Sequence, residues 1–149
     1  MPNINKVFAL LIIAIFSPPQ PLLSSQAIPD HLAVRALVVE AGGQQDEELC
    51  AHANALRNRG TLRGVYGLHA KHLSTEPQWV FDRARRAWDR AKTGPDVVGG
   101  RTEWRSDYDL KLMARRGETP KSCGLYDGLR VGNTIFYRIT HAKRNSSRR

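Results

Sequence analysis

The 149-residue sequence predicts a single α+β domain, mainly helical, with a small β-hairpin near its C-terminal end. Three observations carry that prediction. Apolar residues recur at helical spacing over residues 32–60 and again over 75–91. Two short alternating runs, Leu129 to Val131 and Thr134 to Ile139, flank Gly132 and Asn133, which is the chemistry of a tight hairpin turn. No internal repeat or low-complexity linker divides the chain.

Residues 1–27 read as a cleavable signal peptide: a basic start at Lys6, an apolar run from Val7 to Phe16 too short to span a bilayer, and small residues at Ser25 and Ala27. Residues 28–149 are then the mature domain, ending in the short basic tail KRNSSRR. Asp30 is placed to cap a first helix on which Ala33, Leu37 and Glu40 share a face. That helix should stop near Ala41, with Gly42 and Gly43 turning the chain. Asp46 can cap a second helix, with Leu49, Ala53 and Leu56 inward, closed by Arg57, Asn58, Arg59 and Gly60. Residues 61–74 are glycine-punctuated and read as a long structured loop. Thr75 and Gln78 match a capping box for a third helix with Val80, Ala84, Ala87, Trp88 and Ala91 buried, and both Trp79 and Trp88 are expected in the core. Residues 96–117 carry no clean period, although LKLMARRG can hold a short helix.

The formal charge is +9; of 23 Lys plus Arg the leader removes only Lys6, leaving 22 against 14 Asp plus Glu. Such a field favours an anionic polymer, and export turns the expectation from nucleic acid to the bacterial envelope: a secreted or periplasmic protein, with no membrane contact after signal cleavage. Export also permits Cys50 and Cys123 to pair in a disulfide. His69 and His72, three residues apart, are the best metal candidates. Without HExxH, a cysteine cluster or a nearby carboxylate they predict no metal site, and no cofactor is expected.

Glu40 is the residue with the clearest chemical promise. A carboxylate on an apolar helix face is partly desolvated, which raises its pKa and suits it to general-acid work such as glycoside cleavage. Asp46, Glu47 and Glu48 are nearby candidates for a second carboxylate, but acids in the first turn of a helix are favoured by its dipole alone. A sequence with one well-placed acid therefore points to chemistry in which one residue donates and then accepts the proton. Aromatic rings serve as sugar platforms, and Tyr66, Trp104, Tyr108 and Tyr126 lie in glycine-rich or irregular segments suited to binding.

The blocks VVEAGGQ, HANALRNRG, LRGVYGLHAKH, EPQWVFDRARRAW and VGNTIFYR, in that order from about Arg35 to Arg138, resemble the bacterial cell-wall hydrolases typified by spore-cortex-lytic enzymes. The resemblance implies a lysozyme-like fold and cleavage of peptidoglycan between N-acetylmuramic acid and N-acetylglucosamine, as a lytic transglycosylase or a muramidase. It makes Glu40 the catalytic acid, with Gln44, Asn58 and Arg59 as supports of the site; the substrate-binding candidates are the aromatics Tyr66, Trp104, Tyr126 and Tyr137. Two departures stand out: Gln44 occupies the place of a second glutamate in many members, and Thr134 replaces a frequent histidine. The competing expectations are a non-catalytic basic module that binds anionic wall polymers, and a zinc amidase acting on the peptide stem.

Overall fold

The computed structural model describes residues 27–140; the expected signal peptide, apart from Ala27, and the basic tail lie outside the described residues. In chain order the elements are α1 (Asp30–Ala41), α2 (Asp46–Arg59), a short 3-10 turn (Lys71–Ser74), α3 (Gln78–Thr93), β1 (Glu103–Ser106), α4 (Asp107–Arg115), β2 (Leu125–Val131) and β3 (Thr134–Ile139). The fold is α+β and mainly helical, as the sequence indicates, and no helix among the described residues is long and apolar enough to cross a membrane.

Helices α1, α2 and α3 pack as a bundle whose interior holds Leu37, Leu49, Leu56, Val80 and Trp88. Alanines complete the contact: Ala33, Ala51, Ala53, Ala55, Ala84 and Ala91 have no exposed surface, so the backbones approach closely where small side chains meet. The helix ends are secured differently from the sequence expectation. Asp30 and Asp46 are the first helical residues, behind Pro29 and Gln45 as N-caps, and neither acts as a side-chain cap. Each carboxylate instead ties its helix to α3. Asp30 accepts from Trp88 Nε1 at 2.7 Å and from Lys92 at 2.8 Å, and Asp46 accepts from Arg83 at 2.8 Å. The predicted capping box of α3 does not form either: Pro77 is the N-cap, while Thr75 Oγ1 donates to the His72 carbonyl. Trp79 is turned outward, 57% exposed, because it neighbours Val80 in sequence and so falls off the buried stripe.

The predicted hairpin is part of a three-stranded antiparallel sheet ordered β1-β3-β2. β1 was illegible in the unassigned region; it pairs Trp104 opposite Phe136, and Phe136 is fully buried against the bundle. A bulge between Tyr126 and Leu129 puts Asp127 at φ 54°, and Arg101 and Arg138 both ion-pair with its carboxylate, at 3.0 and 2.9 Å. α4 follows β1 without a loop because Ser106 and Asp109 form a reciprocal capping box, Asp109 N–H donating to Ser106 Oγ at 3.1 Å and Ser106 N–H to Asp109 Oδ2 at 3.0 Å. The permitted disulfide is not made: Cys50, half-buried on α2, and Cys123, exposed before β2, are both free thiols. Since Cys50 packs beside the core of the bundle, it serves there as a small apolar side chain.

Candidate functional site

A cleft of about 420 Å³ opens between the C-terminal end of α1, the C-terminal end of α2, β1 and α4. That is the size of a small-ligand site. Glu40 contributes from α1, Arg59 from α2, and Arg63, Gly64 and Tyr66 from the loop that follows. Glu103, Trp104 and Arg105 come from β1, and Asp109, Leu112 and Met113 from α4, with Arg116 just past its end. The gathering is long-range: residues far apart in sequence meet because α2 lies between α1 and the sheet.

Glu40 is half-buried on the last turn of α1, and Trp104 Nε1–H donates to its Oε2 at 3.1 Å. Burial raises its pKa above the ordinary carboxylate value. The Trp104 hydrogen bond and the Arg59 charge pull the other way, as does the Tyr66 backbone amide, while the Asp109 charge adds to the rise. Glu40 is thus a partly desolvated acid open to a cleft, with a single side-chain donor fixing one oxygen.

Trp104 is itself held from both sides by α2. The Arg59 guanidinium stacks on its ring with Cζ 3.9 Å from the centroid, and the His52 ring meets it edge-on at 5.4 Å. His52 also packs edge-on against Phe136 at 5.0 Å, and its Nδ1 lies 2.9 Å from the Glu48 carbonyl oxygen. Burial holds the imidazole below its ordinary pKa, so it is neutral and donates from Nδ1 to that carbonyl. Arg59 is anchored by its Nε to the Thr102 carbonyl at 2.8 Å and by an ion pair with Glu103 at 3.3 Å. Burial lowers the Arg59 pKa, and the charges of Glu103 and Glu40 oppose that shift.

Of the residues singled out from sequence, the cleft therefore brings together Glu40, Arg59, Tyr66 and Trp104. Tyr66 is 82% exposed at the mouth, whereas Trp104 is buried in the wall. The remaining candidates lie elsewhere. Asn58 closes the end of α2, donating to Asp96 at 2.9 Å and to the Arg101 carbonyl at 3.2 Å. Gln44 lies with Glu48, Gly132 and Asn133 in a separate hollow between the α1–α2 turn and the hairpin and does not line the Glu40 cleft. Tyr126 stands half-exposed on β2 opposite Arg138, Tyr137 is buried on β3 against Gly128, and Tyr108 projects from α4.

Sequence reading missed Glu103 and Asp109 as cleft carboxylates. The S-x-x-D spacing at Ser106 was the one local signal for Asp109, and Glu103 had none, because its position follows from the pairing of β1 with Tyr137 on β3. It also missed that Glu48 is buried: Glu48 Oε1 accepts from Thr134 Oγ1 at 2.6 Å, locking the hairpin to α2. Among the described residues no three His, Cys, Asp or Glu side chains gather as a metal ion requires, so the zinc amidase alternative has no donor set there. No family model, curated protein or solved structure matches the chain.

Proposed function

We propose that the protein cleaves the glycan strands of peptidoglycan with Glu40 as general acid and base, within a lysozyme-like arrangement and outside the cytoplasm. The observation that carries the reading is Glu40 itself: a carboxyl raised by burial, oriented by Trp104, and open to a cleft with a flat aromatic ring at its mouth. The ordered resemblance to wall hydrolases supplies the substrate.

Protonated Glu40 gives its proton to the glycosidic oxygen as the bond to muramic C1 breaks, so the leaving sugar departs as an alcohol. Glu40 is then a carboxylate, which the Trp104 N–H and the nearby Arg59 charge stabilise. It next takes a proton either from the muramic C6 hydroxyl, closing a 1,6-anhydro ring, or from water, giving a reducing end. Asp109 and Glu103, the other cleft carboxylates, are already engaged, one by the α4 cap and the other by Arg59. This supports a one-carboxylate mechanism.

The test is digestion of purified sacculi by wild type and Glu40→Gln, with mass spectrometry of the products. Anhydro-muropeptides or reducing muropeptides from wild type alone support the proposal and identify the acceptor. Freed peptide stems, or clearing that survives Glu40→Gln, overturn it. Binding to sacculi without any product from wild type favours the non-catalytic module instead.

A further inference from the structure

Sugar rings are neutral, yet the cleft presents four guanidinium groups, those of Arg59, Arg63, Arg105 and Arg116. Two of these are accounted for within the protein. Arg59 lies on Trp104 and pairs with Glu103, and Arg116 pairs with Glu118 at 3.1 Å. The other two have no acidic partner among the described residues. Arg105 donates only to the Trp104 carbonyl, at 2.6 Å, and the Arg63 side chain makes no hydrogen bond or ion pair there. The cleft thus holds two uncompensated forks in a wall whose own carboxylates are already paired or capping, beside the acid that would act on the glycan.

We infer that the cleft selects glycan strands that bear carboxylates, with Arg63 and Arg105 gripping them, and that neutral amino-sugar polymers are poor ligands. The inference rests on the glycan-cleaving proposal and adds its specificity. A guanidinium fork matches a carboxylate with two parallel hydrogen bonds, which a hydroxyl or acetamido group does not offer. In a strand of alternating amino sugars the carboxylates project from the lactyl ether or from the peptide stem attached to it, so a ring held over Glu40 carries its negative group sideways toward the cleft walls. Arg63 on the loop and Arg105 on β1 are the residues in those walls that are free to receive it.

The test measures binding rather than cleavage, using Glu40→Gln protein and four probes: a stem-bearing peptidoglycan oligosaccharide, the same strand stripped of stems but keeping its lactyl carboxylate, the stem-bearing strand with all carboxylates amidated, and the neutral N-acetylglucosamine hexamer. We expect the stem-bearing strand to bind at least about tenfold more tightly than the amidated strand and the hexamer, with Arg63→Gln and Arg105→Gln each weakening it by about tenfold. Arg105→Lys, which keeps charge but loses the fork, should recover only part of the loss. The lactyl carboxyl is amide-bonded to the stem and becomes a free carboxylate only on stripping: if the stripped strand binds like the stem-bearing one, the forks accept a carboxylate at either place; if it binds like the amidated one, the stem carboxylates are the groups read. Equal binding of acid and amidated strands overturns the inference, as does full affinity in Arg63→Gln, a variant at an exposed loop position whose folding is not in question. Should wild type release no products while Glu40→Gln still discriminates the carboxylate, the specificity stands and the cleavage proposal falls.

Discussion

Two glutamates bracket the α1–α2 turn, and the protein treats them in opposite ways. Glu40, at the end of α1, is half-buried, held through one oxygen by an indole N–H and open to a cleft. Glu48, in the first turn of α2, is 2% exposed and bound by the Thr134 hydroxyl at 2.6 Å and the Asn133 backbone N–H at 3.4 Å, with Gly132 pressed against its side chain. Burial alone does not make an acid a reagent. A buried carboxylate whose oxygens are both occupied by the hairpin can only brace the fold, whereas one with spare capacity facing a cleft can exchange a proton with a ligand.

The largest expected effect divides the two by activity. Glu40→Gln should lower cleavage about 10²–10⁴-fold, measured as product release from sacculi, because it removes the proton that the leaving oxygen needs. It should also stabilise the fold near neutral pH. A carboxyl whose folded pKa is raised binds more protons folded than unfolded, so wild type loses stability as pH rises from the unfolded value through the folded one. Glutamine does not titrate, and the gain in Tm should be greatest at neutral pH and shrink as pH falls below the ordinary carboxylate range. A variant that is inactive and less stable at neutral pH would make Glu40 another brace.

Glu48→Ala should show the reverse profile. The change leaves the Thr134 hydroxyl buried without an acceptor and opens a hollow under the hairpin, at a cost of about 2–4 kcal/mol in denaturant unfolding. The surviving folded fraction should keep its cleavage rate within a few-fold.

Gly132→Ala tests the same brace from the turn. Gly132 has φ 58°, where an L side chain is strained, and a methyl there runs into the Glu48 carboxylate. Two effects on one contact should cost about 1–3 kcal/mol. Because Gly132 and Glu48 share that contact, the double variant should lose less than the sum of the singles.

The contrast also explains what the sequence disclosed. α1, α2, α3 and the Gly132–Asn133 turn were legible because their signals are local: apolar periods, terminal glycines, and a turn dipeptide whose glycine adopts positive φ. β1 was not, since EWRS is a strand only by virtue of lying beside β3, and Glu103 entered the cleft unseen with it. Glu48 was masked by an equally good local account, the preference of helix starts for acids, which says nothing of a hairpin folding back over it from far along the chain. Asp30 and Asp46 show the same limit. Both mark helix starts correctly, and both spend their carboxylates on α3 rather than on a cap.

The smallest effect concerns the link between the two regions. α2 carries Glu48 at one end and Arg59 at the other, with His52 between them, and His52 and Arg59 clasp Trp104, whose N–H orients Glu40. Trp104→Phe keeps a flat ring for both neighbours and removes only the donor. That hydrogen bond lowers the Glu40 pKa, so its loss leaves burial less opposed and moves the pKa up. Cleavage by an acid that must start protonated falls on the alkaline side as that acid ionises; the alkaline limb of kcat/KM should therefore shift to higher pH, with the maximal rate changed only a few-fold. A limb that moves to lower pH would mean that the indole acts on Glu40 mainly by excluding water, and that its hydrogen bond contributes little to the charge of the carboxylate.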